Sequence, residues 1–154
     1  MPVSIEVERS LLLPVPAEKA WSWMTDPSLE LFEVNPFHLR ARCESQLLAV
    51  GSEVEIGHRL GWREELRVAR ISKLSSYEIA WGETKAGGRD WFPHGQQFRL
   101  EPRGDGACRL NNRLRGTFHL PGARWWLWSW YRWILPRVLD LENRRIATGV
   151  AAHP

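Results

Sequence analysis

Six polar side chains recur where a period of two sets them among apolar neighbours: His58, Glu64, Tyr77, His94, Gln96 and Asn112. An imidazole titrates near neutral pH, so His58 or His94 could act as a general acid or base. A desolvated Glu64 would hold its proton more tightly, and Tyr77 could steady an enolate. His58, Glu64 and His94 are therefore the candidate catalytic residues, and the chemistry they suit is that of a cyclase or dehydratase. Two other readings account for the same residues. The six could orient a bound molecule, or they could lie at the open end of a cup, wet or satisfied locally, because a buried polar group is costly unless paired. The sequence leaves all three open.

Several chemistries are excluded by what the chain lacks. No Ser or Cys stands in a Gly-x-Ser-x-Gly setting, so there is no nucleophile elbow. Gly87-Gly88 and Gly104-x-Gly106 are too short for a phosphate loop and read as turns. No His-x-x-x-His or Cys/His cluster points to a metal, and no cofactor is expected. Cys43 and Cys108 are far apart and read as reduced, buried small hydrophobes.

The elements that must position these residues follow from periodicity. Val3, Ile5 and Val7 alternate with Ser4, Glu6 and Glu8 in a strand closed by Pro14 and Pro16. Pro16 suits the start of a helix over Ala17 to Thr25, stopped by Asp26-Pro27, and Ser28 to Val34 reads as a second short helix. From Phe37 the period is two. Leu39, Ala41 and Cys43 oppose His38, Arg40 and Arg42; Val54, Ile56 and His58 oppose Glu53 and Glu55; Glu64, Leu66 and Val68 oppose Glu65 and Arg67. Tyr77, Ile79 and Trp81, then His94, Gln96, Phe98 and Leu100, then Cys108, Leu110, Asn112, Leu114 and Phe118 continue the pattern. Arg103-Gly104-Asp105-Gly106 is a hairpin signal. Arg124 to about Ala151 is helical, with Leu127, Ile134, Val138, Leu141 and Ile146 as the inward stripe and Pro136 kinking or dividing it. Each strand has a charged face and a mostly apolar one, and the last helix is the element long enough to cover the apolar side.

Ten tryptophans are present, five of them between Trp125 and Trp133. Trp125, Trp126, Trp128, Trp130, Tyr131 and Trp133 go around the helix axis and cannot all face inward. They fit a wide face buried under loops, a membrane-interface contact with Arg124 and Arg132 toward anionic lipid, or a homodimer surface. Trp125, Trp126 and Trp133 are the candidate contact residues. Trp62, Trp81 and Trp91 fit either core filling or the wall of a pocket for a flat apolar molecule.

The composition is that of an ordinary globular chain: 154 residues, 44% hydrophobic, 25% charged, net charge +3. One domain over residues 1–154 is expected, with no repeat or linker. The positive excess is mild and scattered, which argues against nucleic acid. The strand-like, acidic N-terminus is no signal peptide, and the apolar run from Trp125 to Leu135 is too short to span a bilayer. A cytoplasmic protein is expected.

Three segments resemble the START-like superfamily, also called SRPBCC, and in particular its polyketide cyclase/dehydrase branch. The first is the strand leading into Pro16-Ala17-Glu18-Lys19-Ala20-Trp21, like the family's entry into its first helix. The second is Trp91-Phe92-Pro93-His94-Gly95-Gln96-Gln97-Phe98, where Gln96 stands in place of a common second His and weakens any His-pair chemistry. The third is Thr117-Phe118-His119-Leu120-Pro121-Gly122 before the last helix. The resemblance implies an α+β helix-grip fold, in which about seven antiparallel strands curve around a long C-terminal helix, with two short helices after the first strand. It also implies a cavity for a lipid, quinone or polyketide-like molecule. The lining would be Leu39, Cys43, Ile56, His58, Trp62, Glu64, Leu66, Tyr77, Trp81, His94, Gln96, Phe98, Asn112, Leu114 and Phe118 from the strands, with Trp130, Ile134 and Val138 from the helix.

Overall fold

The computed structural model describes residues 2–119, 129–130 and 132–154, with residue 60 described by its backbone alone. Seven strands form one antiparallel sheet: β1 (Val3–Leu13), β2 (His38–Cys43), β3 (Glu53–Leu60), β4 (Arg63–Ser75), β5 (Glu78–Lys85), β6 (His94–Pro102) and β7 (Cys108–Phe118). Their spatial order is β1-β7-β6-β5-β4-β3-β2. Only the first strand is out of sequence order; it returns to pair with the last, Val3 opposite Phe118 and Leu13 opposite Cys108. The other connections are local hairpins, as the turn signals require.

Helix α1 (Ala17–Met24) starts after Pro16, whose missing N–H costs nothing there, and buries Ala17, Ala20, Trp23 and Met24. Thr25 closes it by donating its hydroxyl to the Trp21 carbonyl at 2.9 Å. The second expected helix is a single 3-10 turn, Glu30–Glu33, entered through Leu29 in the left-handed region at φ 63°. The long helix α2 (Leu135–Ala152) lies across β1 and β7 and meets α1. Pro136 occupies its first turn, so the proline starts this helix rather than bending it. Ser129, Trp130, Arg132 and Trp133 are helical, and Ile134 is a turn between them and α2, which matches a divided helix.

The face α2 turns inward differs from the expected stripe. Leu135, Val138, Leu139, Glu142, Asn143, Ile146 and Val150 are buried. Leu141 is exposed, and Asn143, which is not part of the expected stripe, is buried. Val138 and Ile146 face inward as expected, while Leu139 and Glu142 are buried where Leu141 was expected. Leu127 lies outside the described residues. No helix of the described residues is long and apolar enough to cross a membrane.

The core has two apolar parts. The larger holds Leu13, Trp23, Phe32, Ile56, Ile71, Ile79, Trp81, Phe98, Leu110, Ile146 and Val150. The smaller holds Leu114, Phe118, Leu135 and Leu139. Both β7 and α2 change from one to the other at a polar step, Asn112 on the strand and Glu142 on the helix.

Candidate functional site: a buried polar belt on the concave face

Asn112 and Glu142 meet. Asn112 Nδ2 donates to Glu142 Oε2 at 2.8 Å, Gln96 Nε2 donates to the same oxygen at 2.6 Å, and Asn35 Nδ2 donates to Oε1 at 2.6 Å. Gln96 also donates to Asn112 Oδ1 at 3.0 Å. All four residues are buried. Burial pushes the Glu142 carboxyl above its ordinary pKa, and the amide donors only partly oppose this. Gln96 and Asn112 stand on the inward face as the alternation indicates. Asn35 and Glu142 were not anticipated: one follows the 3-10 turn, and the other reads on a helical wheel as ordinary surface charge.

A second polar group lies along the same face. Glu83 is fully buried on β5, opposite His94 on β6. Arg67 Nε on β4 donates to Glu83 Oε1 at 2.8 Å. The same guanidinium reaches Glu65 at 3.0 Å, Asp90 at 3.1 Å and the Phe92 carbonyl at 2.9 Å. The second Glu83 oxygen, Oε2, lies 3.4 Å from His94 Nε2 and 4.0 Å from His38 Nε2. His38 and His58 are opposite one another on β2 and β3.

The electrostatics divide these histidines. Burial lowers the pKa of His38, and burial together with neighbouring cationic groups lowers that of His58 to about 4, so both imidazoles are neutral at pH 7. Burial acts the same way on His94, but the adjacent Glu83 carboxylate outweighs it and the net shift is upward. Glu83 is held below the ordinary carboxylate range: its burial is opposed and exceeded by His94, His38 and Arg67. The arrangement can keep a proton on His94 and a negative charge on Glu83 within contact distance.

The sequence placed some of these residues correctly and reversed others. Ile56, Trp81, Phe98, Leu114, Phe118 and Val138 are buried, His58 and His94 face inward, and Cys43 and Ile134 are half-buried. On β4 the phase is opposite to the expected one. Glu64 and Leu66 are exposed, Glu64 lying 3.6 Å from Arg59 on the solvent side, while Glu65, Arg67 and Ala69 turn inward. The pairing of β4 with β5 decides this, because it sets the Arg67 guanidinium against Glu83. On β2 a bulge between His38 and Arg40 shifts the alternation. It turns His38 inward and leaves Leu39 exposed, again the reverse of the expectation. Trp62 is 91% exposed at the β3–β4 turn, so it lines no pocket. Tyr77 is half-buried, and its hydroxyl donates to Glu18 at 2.8 Å on the α1 side, away from the belt. Trp130 and Trp133 are exposed. Trp125 and Trp126, with Arg124, Trp128 and Tyr131, lie outside the described residues.

A recess of about 810 Å3 runs along the sheet beside Gly82, Gly95 and Arg115. These three occupy one row of the outer face, so the recess opens to solvent on the side opposite the belt.

Solved structures with the same architecture decide the fold. Norcoclaurine synthase from Thalictrum flavum, determined in complex with dopamine and hydroxybenzaldehyde, superposes with a TM-score of 0.73 at 13% identity over 99% of this chain and 90% of that one. The fold is a helix grip, an antiparallel sheet wrapped on a long C-terminal helix. Zhui aromatase/cyclase from Streptomyces sp. R1128 matches with a TM-score of 0.75 at 12% identity, covering 97% and 94% of the two chains. A conserved protein from Geobacillus kaustophilus matches with a TM-score of 0.70 at 14% identity, covering 96% and 95%. No family model and no curated protein matches the sequence.

Proposed function

We propose that the protein binds a hydrophobic small molecule, a lipid, quinone or polyketide-like compound, between the sheet and α2, as a cytoplasmic carrier or sensor. The observation that carries this reading is the polar belt. Gln96, Asn112 and Glu142 form a compact hydrogen-bonding group flanked on both sides by apolar core. A few placed polar groups within an apolar, aromatic wall are what orient a ligand in such a site. Support by analogy comes from two enzymes of the same fold, norcoclaurine synthase, determined with dopamine and hydroxybenzaldehyde, and Zhui aromatase/cyclase; fold alone does not transfer their activities.

Native mass spectrometry of the purified protein, followed by denaturing extraction, tests the reading. The expected result is a bound mass that survives gentle ionisation and is recovered in organic extract. His58→Ala and His94→Ala should alter ligand retention without abolishing any turnover. Protein free of any adduct that also fails to bind an apolar fluorescent probe would overturn it.

One observation favours a second reading, a cyclase or dehydratase. Glu83 Oε2 and His94 Nε2 lie 3.4 Å apart, near enough that a small closure would let them share a proton. This pair replaces Glu64, which faces solvent, as the acid–base candidate. A measured conversion lost in His94→Ala while ligand binding survives would establish this reading over the carrier. Contact of the exposed Trp133 with anionic membrane is a further proposal. It expects vesicle co-sedimentation that drops in Trp126→Ala plus Trp133→Ala, whereas a dimer surface would instead lower the mass in solution.

A further inference from the structure

We propose that His38, His58 and Glu83 bind a divalent transition-metal ion of the Zn2+ class. One ligand atom from each residue lies within 4.8 Å of the other two. They come from β2, β3 and β5, and the fold alone unites them. His38 Nε2 and His58 Nδ1 are buried without a hydrogen-bond partner, and Glu83 Oε2 makes no well-formed hydrogen bond, its polar contact being His94 Nε2 at 3.4 Å. The Glu83 side chain is fully buried and that of His38 is 3% exposed, so bulk solvent does not reach them. Leaving such atoms unpaired is costly.

The orientation of His38 is the second argument. Its Nδ1 lies 2.6 Å from the Phe32 carbonyl, which can only accept, so Nδ1 carries the hydrogen. The neutral ring then turns a lone pair on Nε2 toward the lone pairs of Glu83 Oε2, 4.0 Å away. Two acceptors facing each other at this distance are an arrangement that a bound cation would bridge. A backbone carbonyl fixing the far nitrogen of an imidazole is also the usual support of a metal-bound histidine. Arg67 occupies Glu83 Oε1 and so directs Oε2 to the histidines. Its positive charge opposes a second cation, but Glu65, Glu83 and Asp90 surround it, and Lys85 offsets only the rim carboxylate Glu65.

Two imidazoles and one carboxylate suit a borderline ion such as Zn2+, with at least one position left for water or a ligand oxygen. Tetrahedral ligation with bonds of about 2.0–2.2 Å sets donor atoms roughly 3.3 Å apart, so ligand atoms now within 4.8 Å of one another must close by up to about 1.5 Å. His94 Nε2, 3.4 Å from Glu83 Oε2, remains beside the ion as a supporting contact. This site is distinct from the Glu142 belt and does not rest on the binding of a hydrophobic ligand.

The test uses chelator-treated full-length protein with Zn2+ alone, followed by calorimetry, and with Co2+ alone, followed by visible absorption. One equivalent of Zn2+ should bind and raise the melting temperature, and Co2+ should give the intense band of a low-coordinate nitrogen–oxygen site. His58→Gln and Glu83→Gln should each weaken Zn2+ at least about 100-fold, more than is usual for losing a supporting partner. The exposed-residue control His119→Gln should not. No stoichiometric binding by the wild-type chain would overturn the proposal whether or not the variants fold. Equal affinity in wild type and both ligand variants, or a doubly protonated His38 in a spectrum of the metal-free protein that Zn2+ leaves unchanged, would also overturn it.

Discussion

Arg67 on β4 and Glu83 on β5 form a nearly dry ion pair, Nε to Oε1 at 2.8 Å, with the guanidinium side chain 6% and the carboxylate 0% exposed. Such a pair is weak evidence for stability in itself, since desolvation consumes much of its attraction, but breaking it strands the remaining charge. The Arg67 side chain also holds Asp90 and the Phe92 carbonyl, so it ties the loop before β6 to the concave face.

Arg67→Ala should therefore destabilise the fold by about 3–5 kcal/mol, the scale for removing one partner of a buried pair. Urea unfolding followed by circular dichroism measures it. A loss below about 1 kcal/mol would mean that water enters and solvates Glu83.

Glu64→Ala and Trp62→Ala, by contrast, should each change stability by no more than about 0.5 kcal/mol, as exposed positions do. Neither should affect retention of a bound small molecule. The neighbouring Glu65→Ala, which removes a contact to the Arg67 guanidinium, should cost more than either. Reversal of that ranking would restore the opposite phase for β4.

Gly149 packs against the Trp23 indole, and a Cβ at that position would run into the ring. Alanine in a helix interior ordinarily gains about 1 kcal/mol over glycine. Here overpacking should reverse the sign, and Gly149→Ala should cost about 1–3 kcal/mol. Thermal unfolding of the single variant checks this. The double variant Gly149→Ala with Trp23→Phe should recover part of the loss.

Glu142 should give stability a pH dependence of known sign. Its folded pKa lies above the ordinary 4.5, so the folded state holds this proton more tightly than the unfolded state. Its contribution is fully present below pH 4.5 and is lost as the pH rises through the raised folded value. Denaturant unfolding from about pH 4 to about pH 8 should show that decline in the wild type, superimposed on other groups, and Glu142→Gln should remove it. Parallel profiles for the two proteins would show that the three amide donors keep Glu142 ionised throughout.

The alternation of Val3 to Val7, of His94 to Leu100 and of Cys108 to Phe118 was enough to assign three strands and their buried faces, because only one face of each is apolar. Pro16 and Asp26-Pro27 bounded α1 for equally local reasons. Gln96 and Asn112 were legible as inward polar residues because their neighbours in the alternation are plainly core. Glu83 was not, since one carboxylate beyond Trp81 looks like the wet end of a strand.

What the sequence determined by itself was the element order, the sheet-and-helix class and the half of the belt carried on strands with one apolar face. The tertiary structure decided the rest. On β4 both faces carry charge, Glu64 with Leu66 on one and Glu65 with Arg67 on the other, so hydrophobicity alone selected the wrong face. The partner that makes Arg67 tolerable inside, Glu83, belongs to another strand and appears only once register is set. The bulge at His38 likewise depends on how β2 pairs with β3. Burying a charge is favourable only when its partners are already in place, and those partners are 16 residues away for Arg67 and Glu83, and 107 for Asn35 and Glu142.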